Sequence, residues 1–435
     1  MDQAATAAMS PPAALAGRPG RTLALLLLTA VGTVNFVDRQ ILSVLAEPIR
    51  TELHLSDTQL GLLTGLSFSL FYALMGVPAA LLADRTNRVR LVAAACLTWS
   101  LFTGACSLAG SFWQLAIARF GVGEAGGTAP SLSILADYYP PEKRPAVIGL
   151  FTVNGPIGVF VGASLGGWAA GQFGWRGAFV LTAAIGAVAA LALAAFVREP
   201  ERGALDPQPA RVAERARLIP TARLFLSRPT LRLLLFASGL SAFVSYGMLN
   251  WIPAYLMRVQ HMPLSEVARW FGPAAGLCMG LGIWGGGALV NWAGRRSVKA
   301  YAYVPGLSML LCAPSLAIAC LAGSWQASLA LMLVPMICCT IYVAPALALV
   351  QNLSPVAARA TATALLLLAF NIVGLGGGPL AIGALSDALA ARDIADPLRL
   401  ALIAAAPIAV IAAAGYFAVS RVVGADTQSA LEAAR

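Results

Sequence analysis

Apolar runs long enough to cross a bilayer recur twelve times along the chain, with short polar connections between them. The first six cover 22–47, 57–83, 90–110, 113–137, 145–172 and 177–197. The second six cover 231–257, 267–292, 299–321, 327–352, 357–386 and 398–422. Each reaches the roughly 20 residues that a helix needs to span the hydrocarbon core. The pattern predicts an all-α integral membrane protein with twelve transmembrane helices in two six-helix halves. One long polar stretch, Arg198–Arg228, rich in Arg with Glu, Asp and Pro, separates the sets. The expected organisation is a tail over 1–21, a half over 22–197, a linker over 198–230, a half over 231–423 and a tail over 424–435.

The first run is interrupted near its middle by Asn35-Phe36-Val37-Asp38-Arg39-Gln40. Asp38 stands about 24 Å along that helix at 1.5 Å per residue. Charges at such depth cost several kcal/mol unless they pair or face a water-filled cavity. Asn35 shares a face with Asp38 and Arg39. A polar face there points to a substrate or ion pathway, and a charge pair that ties two helices together is the plainer alternative.

Composition agrees with the pattern: the chain is 59% hydrophobic and 11% charged, against about a quarter charged for a soluble protein. Its solvent is lipid. The net charge of +10 would suggest nucleic acid in a soluble protein, but its distribution gives another reason. Of the 29 Lys and Arg, 21 fall on the side of the two termini and six on the other, while Arg39 and Arg119 lie inside spans. This positive-inside asymmetry predicts cytoplasmic termini and a cell inner (plasma) membrane protein, with no nucleic-acid partner. The seven cysteines all fall in apolar spans, without metal or redox spacing, and both histidines lie in short connections. No metal and no cofactor are expected.

The connection after span 2, Ala80-Leu-Leu-Ala-Asp84-Arg85-Thr-Asn87-Arg88, is repeated 207 residues later as Gly287-Ala-Leu-Val-Asn291-Trp292-Ala-Gly294-Arg295-Arg296. Both fit G-x-x-x-D-R-x-G-R-R with different departures, as two parallel repeats would. Twelve spans, a central linker and this doubled motif resemble the major facilitator superfamily. The resemblance implies a latch that closes the cytoplasmic side, with Asp84 at a helix N-terminus and gating roles for Arg85, Arg88, Arg144, Arg295 and Arg296. Asn291 and Trp292 replace the motif's charges, which implies a weaker second latch.

Span 4 carries a second polar cluster, Arg119-Phe-Gly121-Val-Gly123-Glu124-Ala-Gly126-Gly127. Gly121-x-Gly123-x-x-Gly126 matches a dinucleotide fingerprint in form only, since no strand precedes it. Its glycines suit close helix approach instead. Arg119 lies about 12 Å deep, near the level of Asp38 and Arg39, and Glu124 about 20 Å deep, on a face turned by about 140°. In span 5, Asn154-Gly155-Pro156-Ile157-Gly158 followed by Gly162, Gly166 and Gly167 reads as a packing face with a bend. The second half offers no buried acid or base. Its polar candidates for substrate contact are Tyr246, Asn250, Tyr342 and Asn371, with Trp251 beside Asn250, and Gly374–Pro379 is the expected flexible point of span 11.

Three stretches narrow the resemblance: Asn35-Phe-Val-Asp38-Arg39-Gln-Ile-Leu, Leu55-Ser-Asp-Thr-Gln-Leu-Gly-Leu-Leu, and Gly121 to Gly127 running on to Asp137-Tyr-Tyr-Pro-Pro-Glu-Lys143-Arg144. They resemble the bacterial branch of the spinster family, whose animal relatives move lysophospholipids and sphingosine phosphate. The resemblance implies proton-linked transport of an amphipathic, anionic small molecule. Asn35, Arg39, Arg119, Tyr246, Asn250, Tyr342 and Asn371 would bind substrate, and Asp38 and Glu124 would carry protons. The Asn-aromatic-x-Asp-Arg opening also occurs in organic anion symporters, so sugar acids or aromatic carboxylates are the alternative cargo. Arginine forks suit phosphate or carboxylate, and buried carboxylates suit protonation. Alternating access of two halves is the expected mechanism, by a monomer in the lipid bilayer. A receptor on the same scaffold is the rival of another class. An enzyme is not expected, because no span combines a His with an acid or nucleophile.

Overall fold

The computed structural model describes residues 20–71, 82–83, 85–122, 127–203, 205, 223, 225, 227–355 and 358–432. Asp84 and Glu124, and most of the linker, lie outside them. Among the described residues every regular element is helical.

Helix α1, Arg21–Leu53, carries the Asn35–Gln40 stretch without a break. It continues past the expected end at 47, through Pro48, and stops where His54 turns left-handed at φ 52°. A proline removes one backbone hydrogen bond, and the rest of the turn holds the helix together. Helix α2 starts at Asp57–Gly61, with Ser56 and Gln59 forming a reciprocal capping box. It widens into a π turn at Leu62–Leu66 and stays helical through 67–71. Helix α3 is Arg88–Cys106; α4 is described in two pieces, Phe112–Val122 and Thr128–Tyr138.

Helix α5 begins as Arg144–Thr152, and after Val153 the helical stretch Asn154–Phe196 follows. Gly174, at φ 70° and ψ 171°, bends that stretch, so it holds the rest of α5 and all of α6. Glycine accepts this backbone without strain. The second half has α7, Pro229–Arg258; α8, Leu264–Glu266, a π turn Val267–Phe271 and Gly272–Gly294; and α9, Ala300–Cys320. Then come α10, Trp325–Cys338 and Val343–Leu353; α11, Arg359–Ala369, a π turn Phe370–Gly377 and Gly378–Ala390; and α12, Pro397–Ile403 and Ala405–Glu432.

Among the described residues nine helical stretches are long and apolar enough to cross a membrane, the 53-residue Arg144–Phe196 among them. The Gly174 bend makes two passes of that stretch. With α2 and α4 the passes are the expected twelve. Two expectations change. The tail expected from 424 continues α12 as helix to Glu432, and the Asp426 carboxylate accepts a hydrogen bond from the Thr230 N–H (2.9 Å) at the start of α7. Span 10 is broken between Cys338 and Val343.

The repeat is visible in the backbone. His54 and His261, 207 positions apart, are both left-handed residues that end α1 and follow α7. After each, a short helix opens into a π turn, in α2 and in α8.

Small residues set the packing of α1. A Cβ at Gly162 on α5 would lie 2.9 Å from the Val37 Cα, and one at Gly166 would lie 2.8 Å from Ile41 Cγ1. The glycine stripe of α5 thus seats the turn of α1 that bears Asp38, as the packing reading of span 5 expects.

Candidate functional site: the cavity between the halves

The start of α1, the end of α12, the α4–α5 connection and the described parts of the α2–α3 and α6–α7 connections lie at one end of the bundle, called here the basic face. A cavity of about 360 Å³ opens between the halves, on the basic-face side of the helix midpoints. The N-terminal half lines it with Gly32, Asn35 and Phe36 of α1, Thr128 and Leu132 of α4, and Phe151 to Pro156 of α5. The C-terminal half supplies Ser245, Tyr246, Met248 and Leu249 of α7, Met279 of α8, Met336 to Val343 around the α10 break, and Leu367 and Phe370 of α11. None of the described lining residues is charged. Tyr342 packs edge-on against Phe370 (5.3 Å between centroids). The break in α10 leaves polar backbone beside the cavity, where irregular backbone is tolerated in a membrane protein.

The sequence-expected residues divide into three groups. Asn35, Tyr246 and Tyr342 are on the cavity wall. Asp38 and Arg119 are buried behind it: the Arg119 Nη1 donates to the Asp38 backbone carbonyl (3.0 Å), and Arg119 is 0% exposed. Arg39 turns the other way, its guanidinium 4.1 Å from the Phe68 ring centroid and 5.3 Å from that of Phe36. Such cation–π contacts are favourable in a dry setting. Expected as direct anion ligands, Arg39 and Arg119 stand off the wall in this conformation, Arg39 beside the Phe68 ring and Arg119 against the α1 backbone.

Asn250 and Asn371 also stand off the wall. Each amide donates to the carbonyl four residues earlier on its own helix, Tyr246 and Leu367 respectively, at 2.8 Å. Trp251 spans α7 and α11 by donating to the Pro379 carbonyl (2.8 Å).

Opposite the basic face, the halves are joined by a network that sequence reasoning missed. Arg258, at the end of α7, donates to Glu47 Oε2 through Nε (3.0 Å) and Nη2 (2.8 Å). It also forks onto Asp57 at the start of α2 (2.7 and 2.9 Å). Ser386 of α11 donates to Asp57 (2.6 Å). Asp387 accepts from the N–H groups of Asp57 (3.0 Å) and Thr58 (2.8 Å), and from the Thr58 hydroxyl (2.6 Å). A carboxylate from one half therefore caps the N-terminus of a helix of the other, where the helix dipole favours negative charge. Glycines close the same seam: a Cβ at Gly61 would lie 2.6 Å from the Pro379 carbonyl oxygen. The capping box at Ser56 was legible in the sequence. Its partners were not, because Arg258 and Asp387 are single charges at the ends of helices 201 and 330 residues away from Asp57.

On the basic face, the described ion pairs stay within the N-terminal half. Arg88 binds Glu199 through Nε (2.6 Å) and Asp137 and Ser133 through Nη1 (2.6 and 2.8 Å). Glu199 also accepts from the Val89 N–H (3.0 Å), and Asp137 from that of Gly203 (3.0 Å). Arg144 donates to the Ala136 and Tyr139 carbonyls (3.0 and 3.1 Å). Arg85, Arg295 and Arg296 are exposed. Expected to hold the two halves together, Arg88 instead ties α3 to α4 and to the start of the linker. Among the described residues, no ion pair joins the two halves at this end.

The Arg88 side chain is 5% exposed and that of Asp137 is 9%. Removing one partner of a buried pair costs about 3–5 kcal/mol, since the other charge stays buried. Arg88→Ala is therefore expected to lower the unfolding temperature in detergent sharply, and Arg88→Lys to recover part of the loss. An unfolding temperature unchanged in Arg88→Ala would show that the triad is not a structural element.

Comparison with known proteins agrees with this geometry. The family model for the Major Facilitator Superfamily matches residues 28–306. The chain is 33% identical over 365 residues to an MFS-type efflux pump of Mycolicibacterium smegmatis (strain ATCC 700084 / mc(2)155), covering 83% of each protein. It is 32% identical over 265 residues to the hexuronate transporter of Bacillus subtilis (strain 168), covering 59% of this chain and 62% of that protein. Two crystal structures of a bacterial homolog to the human lysosomal transporter Spinster, both inward-facing, share 32% identity and cover 94% of this chain and 99% of theirs. The TM-score is 0.88 to the unoccupied form and 0.84 to the occupied one. With its fold, its internal repeat and its cavity between two halves, this chain belongs to the major facilitator superfamily and resembles the bacterial spinster homologs.

Proposed function

We propose that this transporter moves an amphipathic, anionic small molecule across the cell membrane, driven by protons, with its basic face in the cytoplasm. The observation that supports this cargo is the wall of the cavity. Phe36, Phe151, Phe370, Met248, Met279, Met336, Leu249 and Leu367 supply a large apolar surface. Asn35, Tyr246, Tyr342 and Ser245 add neutral hydrogen-bonding groups. A small, highly charged sugar acid would lose its hydration here without a direct cationic partner, at a high cost. An apolar chain suits this wall, and its head group takes the field of Arg39 and Arg119 set behind it.

Alternating access follows from which ends of the halves are joined. The closed network around Arg258 supports the reading of this state as one whose cavity faces the cytoplasm. Moving between states requires the outer seam to open as the α2–α3 end closes. Asp38, buried next to Arg119, is the proton carrier: its charge state alters the local pairing and so biases the two conformations. Glu124 and Asp84 keep their proposed roles in coupling and in the cytoplasmic latch by resemblance to the superfamily.

The test is flux in vesicles of purified protein under an imposed pH gradient. A single-chain phospholipid is expected to be moved and to be outcompeted by other single-chain amphiphiles. Asp38→Asn is expected to keep binding and lose all stimulation by the gradient. Transport of galacturonate or benzoate with no competition from the amphiphile would replace this cargo by the organic anions. Binding with no flux for any of them would make the protein a receptor.

A further inference from the structure

Building on the reading that Asp38 carries the proton, we infer that the N-terminal half contains a water-binding site, walled by α1, α3 and α4, in which bound water links the Thr103 hydroxyl to the Asp38 carboxylate. Eight buried polar atoms without a protein partner cluster here. They are Asn35 Nδ2, both Asp38 carboxylate oxygens, Trp99 Nε1, Ser100 Oγ, Thr103 Oγ1, and Arg119 Nε and Nη2. All six residues are at most 3% exposed.

Several contacts put them together. Arg119 meets the Asp38 backbone, the Thr103 hydroxyl faces the Asp38 carboxylate, and Ser100 lies against Val34 and Gly186. Trp99, Ser100 and Thr103 share a face of α3, as Asn35 and Asp38 do on α1. A side chain at Gly186 would overlap the Ser100 hydroxyl, so α6 packs closely on α3 and closes that side of the site.

The hydroxyls of α3 are unlike others in the bundle. Thr33, Thr182, Ser238 and Ser241 each donate to the carbonyl four residues back on their own helix. Ser100 and Thr103 make no such bond, so their hydroxyls are left for another partner. Buried polar groups are nearly always hydrogen-bonded.

The donor set identifies that partner. Six donors surround one carboxylate. A metal cation would meet the Arg119 guanidinium, and an anion would meet Asp38. Water both donates and accepts, and buried sites that offer several polar partners hold it well. Asn35 lies on the cavity wall and its amide nitrogen faces inward, so the site adjoins the cytoplasm-facing cavity. A proton reaches Asp38 past Asn35.

Among the described residues, the charged and titratable groups around Asp38 are Arg119 on α4, Cys106 on α3 and Arg39 on α1 itself. The described charges of α2, α5, α6 and α7, namely Asp57, Arg144, Arg176, Arg232 and Arg258, stand at helix ends. Water held by the Thr103 hydroxyl donates to the carboxylate, and removing the hydroxyl takes that water away.

The experiment is infrared difference spectroscopy of the full chain between low and high pH. The band of protonated Asp38 is identified by its loss in Asp38→Asn. Thr103→Val is expected to shift that band to higher frequency and to remove bands sensitive to ¹⁸O-water. Thr103→Ser is expected to match the wild type, and Thr103→Ala to match Val, which covers a valine variant that folds poorly. An Asp38 band whose frequency ignores Thr103 would overturn this inference and leave the proton reading standing. The absence of ¹⁸O-sensitive bands in the wild type would overturn the water site. A wild type without any Asp38 band would overturn the proton reading and this inference together.

Discussion

Arg258→Ala is expected to move the resting protein from the state in which the Arg258 seam is closed toward the one in which it is open. Arg258 makes four charge-assisted hydrogen bonds to Glu47 and Asp57, two residues of the opposite half. Its side chain is 21% exposed and that of Asp57 6%, so solvent screens the network only in part. In the open state the same groups are hydrated, and the lost stabilisation falls on the closed seam alone. Hydrogen bonds to charged groups contribute about 1.5–3 kcal/mol, which changes the ratio of the two states by roughly ten- to a hundredfold.

Accessibility of a single cysteine reads this ratio. All seven native cysteines are buried and can be replaced, with one introduced at Leu60, which is 1% exposed beneath the seam. An impermeant maleimide added outside should label Leu60→Cys slowly in the wild type and much faster with Arg258→Ala. Asp387→Asn should have a weaker effect in the same direction, because a neutral amide still accepts from the start of α2. Equal labelling rates in wild type and Arg258→Ala would remove the network from the gate.

Gly65→Val should have a larger effect and a different signature. A Cβ at Gly65 would fall on the Leu375 carbonyl oxygen. That oxygen belongs to the π turn of α11, while Gly65 belongs to the π turn of α2. Both partners in the contact are backbone, so no rotamer change relieves the overlap. Arg258→Ala weakens closure, but Gly65→Val prevents it. Flux is expected to fall to background while the protein still folds and binds ligand from outside, because within its own half the position has room. A Gly65→Val protein with normal flux would mean that α2 and α11 do not meet this closely in the transport cycle. Gly65→Ala should give an intermediate loss, graded by side-chain size.

The two variants separate charge from shape at one seam. High salt should reduce the effect of Arg258→Ala, because partly exposed ion pairs are screened. It should leave the steric effect of Gly65→Val unchanged.

The sequence by itself determined the membrane class, the spans, the repeat and the charged side of the bundle. Each of these follows from local composition: lipid admits only backbone that satisfies its own hydrogen bonds, so a long apolar run must be a helix. The same argument marked Asn35, Asp38, Arg39 and Arg119, since polar residues at that depth stand out against their neighbours. It also favoured Gly158, Gly162 and Gly166 as a packing face, which now seats α1.

Side-chain direction was decided only by the tertiary structure. Asp38 and Arg39 are adjacent in sequence, but one turns inward to Arg119 and the other stacks on Phe68. Asn250 and Asn371, read as substrate contacts, bond to their own helices. Tyr246 and Tyr342 face the cavity. The outer gate left almost no local signal, because Glu47, Asp57, Arg258, Ser386 and Asp387 lie at the ends of four helices. At a helix end, a charge looks the same whether it meets water or a partner. Only the approach of the two halves removes the water and makes those five residues one site.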